Sequence, residues 1–154
     1  MNYITLRDVT ESDIPIIFEQ QLDPEATAMA AFPSRNKEAF DAHWAKTMAN
    51  DANILRTIEI DGQVAGSLMS WEMVSGREVG YWLGREYWGK GIATKALAEF
   101  LKTIETRPLY AHVAKHNIAS RRVLEKCGFT VIGEDKYVNI GKEEVEEFVL
   151  KLDA

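Results

Sequence analysis

A strand, a turn carrying two glycines and an amphipathic helix follow one another without a break between Glu78 and Ile104. Glu78–Leu83 alternates like a strand, Gly89 and Gly91 punctuate the turn, and Ile92, Ala93, Ala96, Leu97, Phe100, Leu101 and Ile104 recur at helical spacing. Few folds accept that order. Glycine lets the backbone approach a ligand closely, and the unpaired amides of a helix's first turn attract an anion. A phosphate or pyrophosphate is the expected guest. The segment is neither a P-loop, since no Gly-Lys-Ser/Thr follows four spacers, nor a dinucleotide fingerprint, which would need glycine at Thr94. A nucleotide-binding domain is therefore disfavoured.

A second unit begins after Pro108. Leu109–Val113 reads as a strand, His116-Asn117 as a connection, and Ile118–Cys127 as a short helix closed by Gly128. Phe129 opens the next strand. Elsewhere, periodicity predicts a strand near Tyr3–Asp8, a helix near Ser12–Gln21 with Ser12 as N-cap, and a helix over Lys37–Met48. Strands at Asn53–Ile60 and Gln63–Trp71 are joined by Asp61-Gly62, a hairpin signal, and Ser75-Gly76 leads into Arg77–Leu83. Two last strands are expected near Phe129–Tyr137 and Glu146–Leu152. Antiparallel strands followed by strand–helix crossovers predict a mixed α/β sheet.

With both units in place, the chain resembles the GNAT superfamily of acetyl-CoA-dependent N-acetyltransferases. Trp88-Gly89-Lys90-Gly91-Ile92-Ala93 matches the family's pyrophosphate motif, Gln/Arg-x-x-Gly-x-Gly/Ala, in its glycine and Gly/Ala positions. Trp88 stands where the family often has Gln or Arg. The stretch Asn117 to Gly128-Phe129 resembles the family's Asn-to-Gly-Phe helix at full spacing. Ile4–Arg7, Glu11–Ile14, Leu22-Asp23-Pro24-Glu25 and Gly80-Tyr81-Trp82-Leu83 are similar to the branch that acetylates N-termini of ribosomal proteins, with Leu22–Glu25 read as a turn. The resemblance implies a single domain over residues 1–154. It also implies a central mixed, mostly antiparallel sheet flanked by helices, and a pyrophosphate site at the strand–glycine turn–helix junction. The implied reaction is direct acetyl transfer from acetyl-CoA to a primary amine, the acceptor being a protein N-terminus or a small molecule. The alternative is a non-catalytic acyl-CoA-binding or sensing module on the same fold.

Composition narrows the setting. Forty-six per cent hydrophobic residues in 154 suffice for one core, and no apolar run approaches the roughly 20 residues that cross a bilayer. A formal net charge of −6 argues against a nucleic-acid binder. The lone Cys127 excludes an internal disulfide and favours a reducing cytoplasm, with core packing as its role. No membrane partner and no metal are expected.

Acetyl transfer fixes what the site must contain. An amine must shed its proton before it attacks a thioester, so a base is needed; the departing thiolate benefits from a proton donor. Glu78, on the face of its strand shared with Gly80 and Trp82, is the expected base, and its position resembles the family's catalytic glutamate; Glu72 is the runner-up. His112 and His116 are the next titratable candidates and are read as structural hydrogen-bonding residues. Many family members carry a tyrosine seven residues after the Asn; that position is Leu124 here. Ser120 takes over in the resembling branch, near the thioester sulfur. For acetyl-CoA itself, Asn117 suits the amides of pantetheine, and the backbone of Tyr81, Trp82 and Leu83 is implied to bond the same arm. The turn and helix start, Trp88 to Thr94 with Gly89, Lys90, Gly91, Ile92 and Ala93, should hold the phosphates, assisted by Lys90 and Arg122. Residues 24–50 and 137–144 are expected to wall the acceptor side; Phe32, Trp44, Trp71 and Tyr137 are candidates to line it, although aromatics at these spacings are more often core.

Overall fold

Residues 3–154 are described by a computed structural model. The chain opens with β1 (Ile4–Arg7), α1 (Ile14–Gln21), α2 (Pro24–Ala30) and α3 (Lys37–Ala49), and continues through β2 (Ile54–Ile60), β3 (Gln63–Met73) and β4 (Gly76–Leu83). Then α4 (Ile92–Lys102), β5 (Leu109–Ala114) and α5 (Ile118–Lys126) lead to the closing hairpin of β6 (Thr130–Val138) and β7 (Glu144–Leu152). One seven-stranded sheet has the order β1-β2-β3-β4-β5-β7-β6. Every neighbouring pair is antiparallel except β4 and β5. The mixed, mostly antiparallel architecture is the one the sequence predicts.

Local chemistry explains the connections. Asp61 and Gly62 both adopt left-handed backbone, φ 49° and 83°, so the two-residue turn matches the twist of β2 and β3. Ser12 is not the cap of the first helix. A 3-10 turn, Glu11–Asp13, precedes α1, and the Asp13 carboxylate accepts the Thr10 N–H at 2.9 Å. The same buried carboxylate takes a forked pair of bonds from Arg7, both 2.8 Å, and one from the Thr57 hydroxyl. The Arg7 guanidinium holds Asp13 well below the usual carboxylate range. That bond network pins the entry of α1 to β1 and β2.

Helix α2 was read as a turn from the sequence. Asp23 stands at its N-cap position in extended conformation, without a side-chain capping bond, and Pro24 occupies its first position, a pairing that marks a helix start.

Each face of the sheet buries its own core. Ile58, Leu68, Leu109 and Leu150 pack beneath Leu97 and Phe100 of α4 and Leu124 of α5. On the opposite face Ile17 of α1 meets Phe40 and Trp44 of α3, with the Phe18 and Phe40 rings edge-on at 5.2 Å. Burying Ile92, Leu97, Phe100 and Leu101, at roughly 1.5–3 kcal/mol each, anchors α4 far more firmly than its helix propensity would. The glycine turn at Gly89 and Gly91 thus rests on a fixed helix.

A candidate acetyl-CoA site where β4 and β5 part

The parallel pairing of β4 with β5 stops almost where it starts: Arg77 pairs with Leu109 and Glu78 with Tyr110. Val79–Leu83 has no ladder partner on that side, so the strands split and expose the Gly80–Leu83 backbone to whatever enters. A cavity of about 450 Å³ runs from this split to the α4 N-terminus. Tyr81, Trp82 and Leu83 form one wall, and Asn117, Ser120 and Arg122 of the α5 start form the other. Trp88, Gly89, Gly91, Ile92, Ala93 and Thr94 close the far end. All but one of the expected cofactor residues therefore meet around one cavity. Lys90 is the exception: it is exposed and does not line the wall, because its position between two left-handed glycines turns it outward.

The turn is shaped for an anion. Gly89 and Gly91 sit at φ 73° and 74°, and a Cβ built on either would meet no protein atom within 4 Å. Lys95 donates the first intrahelical bond of α4, to the Gly91 carbonyl at 3.2 Å, so the amides ahead of it stay unpaired. No acidic side chain occupies that first turn to compete for them. Trp88, the departure from the family pattern, donates its indole N–H to the Leu83 carbonyl at 3.0 Å and packs on the core. It fastens the turn to the end of β4 rather than facing a phosphate.

On the opposite wall Asn117 caps α5 by accepting the Ser120 N–H at 3.2 Å, which leaves its side-chain amide donor free for a ligand carbonyl. The Tyr81 hydroxyl donates to Ser120 Oγ at 3.2 Å. Burial pushes the Tyr81 phenol up, so it stays protonated. The sequence reading names Tyr81 for its backbone alone; its side-chain hydroxyl also reaches the cavity wall, at Ser120. Lys126 adds a cation to the wall, one helical turn from Arg122, and Ala26, Met29 and Ala30 of α2 roof it. Nothing local in the sequence sets Lys126 apart from ordinary surface charges, and Ala26, Met29 and Ala30 belong to α2, which the turn reading misses.

The expected base sits at the root of the split, outside the cavity wall. Glu78 is 3% exposed, and the His112 Nδ1–H donates to its Oε1 at 2.6 Å. Glu72, by contrast, points to solvent and pairs with Arg77 at 3.3 Å. Its Glu78 hydrogen bond raises the His112 imidazole, with Glu147 and Asp135 adding to the effect. His112 Nε2, Asp135 and Glu147 offer acceptor atoms within 4.8 Å of one another, a grouping the sequence reading did not anticipate. These residues lie on β5, β6 and β7, far apart in sequence, and no local pattern marks them. His116 accepts its structural reading: its ring meets the Ala28 carbonyl at 2.8 Å and ties the α5 start to α2. Trp44 is core rather than wall, Trp71 packs over Gly80, and Phe32 lines a second cavity of about 740 Å³ beyond α2. Cys127 is half-buried with its thiol on the Thr94 carbonyl at 3.6 Å, and burial pushes it up, as packing requires.

Residues 4–130 match the family model described as Acetyltransferase (GNAT) domain. The chain belongs to the GNAT acetyltransferase family. A curated GNAT relative, "Putative ribosomal N-acetyltransferase YdaF" of Bacillus subtilis (strain 168), is 30% identical over 113 residues, 67% of this chain and 62% of that protein. The chain thus spans less than two thirds of that relative's length. The fold is shared with Mycobacterium smegmatis RimJ in complex with CoA-disulfide, TM-score 0.81 at 22% identity over 98% of this chain and 82% of that one. It is also shared with the spermidine N-acetyltransferase from Vibrio cholerae in complex with CoA and spermine, TM-score 0.79 at 19% identity over 96% of this chain and 95% of that one. Among the described residues no helix of this GNAT chain is long and apolar enough to cross a membrane.

Proposed function

We propose that this chain is an acetyl-CoA-dependent N-acetyltransferase, residues 1–154 forming its one catalytic domain, and that it acetylates a primary amine without a covalent enzyme intermediate. One observation carries the reading. The split between β4 and β5 opens onto a continuous cavity with unpaired strand backbone along it and a bare helix N-terminus at its end. A pantetheine arm is amide-rich and needs strand-like partners; the pyrophosphate needs amides and cations. The two demands are met in the right order along one cavity.

When bound, acetyl-CoA supplies the thioester carbonyl that the amine attacks; the rest falls to side chains of this chain. Amides of the Gly89–Thr94 turn, with Arg122 and Lys126, hold the phosphates, and Lys90 contributes from outside the wall as a screening charge. The backbone of Tyr81–Leu83 and the Asn117 amide align the arm. Ser120, polarised by the Tyr81 hydroxyl, stands ready to place a proton where thiolate charge develops. Glu78 serves as base through His112, since a carboxylate 3% exposed and already hydrogen-bonded reaches substrate by way of the imidazole.

The acceptor we favour is a protein or peptide α-amine. Its lower pKa leaves roughly a tenth neutral at pH 7, against under a thousandth of a lysine. The Bacillus relative's name points the same way, while the Vibrio structure's spermine keeps small polyamines in the screen. The half-buried free Cys127 suits a reducing cytoplasm. Thiol release measured with acetyl-CoA and a panel of unblocked peptides and polyamines tests the reading. Amine-dependent release supports it. Tight acetyl-CoA binding with no release from any amine would replace it with the non-catalytic sensing module.

A further inference from the structure

The Glu78–His112 pair has a second side. Nδ1 of the imidazole is committed to Glu78, so Nε2 is the ring's free nitrogen, and it faces Glu147 Oε1 at 4.0 Å. That separation is too long for a hydrogen bond, and it leaves room for one nitrogen about 2.8 Å from each. Asp135 completes a triangle whose edges stay within 4.8 Å. Glu147 is only 8% exposed, yet its carboxylate carries no hydrogen bond among the described residues. A mostly buried carboxylate with no protein donor, beside a free ring nitrogen, has a vacant side on which a cation can bind and leave.

We propose that His112 Nε2, Glu147 and Asp135 seat the ammonium group of the acceptor, and that His112 is the catalytic residue that takes its first proton, Glu78 acting as the positioning residue behind it. The proposal rests on the N-acetyltransferase reading above. The protons balance. One passes from the ammonium to His112 Nε2 and leaves for water. The amine then forms the C–N bond as the thioester C–S bond breaks, and the second nitrogen proton ends on the departing thiolate. The location is apt: His112 lies two residues beyond the last β4–β5 pair, where the split begins. The charges that face it come from three strands, Glu78 on β4, Asp135 on β6 and Glu147 on β7, with the Tyr137 phenol near Glu147. All three carboxylates favour the charged ring, so the imidazole is protonated to higher pH than an ordinary histidine.

Imidazole 15N NMR of the intact protein, with propylammonium chloride as probe against sodium chloride, tests the seat without any substitution. A saturable shift at His112 Nε2, lost in Glu147→Gln, is expected. No saturable shift in protein that binds acetyl-CoA overturns the seat while leaving the function intact. The catalytic half is read from kcat/KM against pH with an acceptor from the thiol-release panel. The wild-type acidic limb should lie above the ordinary histidine range, near 6.5, and Glu78→Gln should move it down. Glu147→Gln should raise the amine KM at least tenfold and leave acetyl-CoA binding unchanged. His112→Gln should lower kcat by a factor on the order of 100 or more. A His112→Gln enzyme within threefold of wild type, or a limb that Glu78→Gln does not move, overturns it. If no amine turns over while propylammonium still shifts His112, the proton-transfer half is refuted.

Discussion

Replacing Gly91 with alanine separates two roles that a turn glycine plays. At φ 74° an alanine costs about 1–2 kcal/mol of backbone strain, but its methyl meets no protein atom within 4 Å, so no clash adds to that. In a chain of this length the loss lowers Tm by roughly 2–8 °C. The same methyl stands on the cavity wall at the helix start. If it holds a phosphate away from even one amide, a charge-assisted hydrogen bond of about 1.5–3 kcal/mol is forfeited. Acetyl-CoA then binds roughly 10- to 150-fold more weakly. Gly62 provides the matched control. Its φ is 83°, its added Cβ also meets nothing, and it sits in the β2–β3 turn away from the cavity. Gly62→Ala should lower Tm by a similar amount and leave acetyl-CoA affinity alone. Thermal melts and calorimetric titration of the two variants make the comparison. Equal affinities for both, within twofold of wild type, would refute the anion-seat reasoning, whatever the melts show.

Asp13→Asn should cost about 3 kcal/mol, because the buried acceptor of the Arg7 fork, the Thr57 hydroxyl and the Thr10 N–H loses its charge; chemical denaturation at pH 7 measures it. Since the folded Asp13 titrates below its unfolded value near 3.9, its contribution is complete above that pH and vanishes as acid approaches the folded value. The gap between wild type and variant should therefore close on acidification below pH 4, and a gap that widens would contradict the pairing. Tyr81→Phe removes the donor to Ser120 and should lower kcat about tenfold with acetyl-CoA affinity held within twofold; Ser120→Ala in the same background should add little, and full additivity would break the pair. Glu72→Gln, on an exposed side chain, should leave turnover unchanged, and a large loss would move the proton acceptor away from the Glu78–His112 pair.

Local signals carried most of the fold. Alternation from Gln63 to Trp71, Asp61-Gly62 and the helical spacing from Ile92 each name an element by themselves, and the structure keeps them within two residues. Asp23-Pro24 carries an equally local signal for α2, which the reading of Leu22–Glu25 as a turn, made on resemblance, passes over. The cavity wall was legible for the same reason: Gly80–Leu83, Trp88–Thr94 and Asn117–Arg122 are three contiguous segments. The cluster around His112 was not. Glu78 meets His112 across 34 residues, and Asp135 and Glu147 join through the β6–β7 hairpin, where alternating acids look like any solvated strand. Their meaning arises from β7 inserting between β5 and β6, a sheet order that periodicity does not encode.

Calorimetric titration of the wild-type protein with acetyl-CoA, CoA, ATP and NAD in parallel tests the central claim most directly. The split sheet and bare helix start predict micromolar binding of the two CoA species at one equivalent and little of the others. Folded protein that ignores CoA, or takes ATP or NAD as well, would contradict the account. Trp88 would then have closed to CoA the site its indole now fastens, and the likeness to the family would extend to the fold alone.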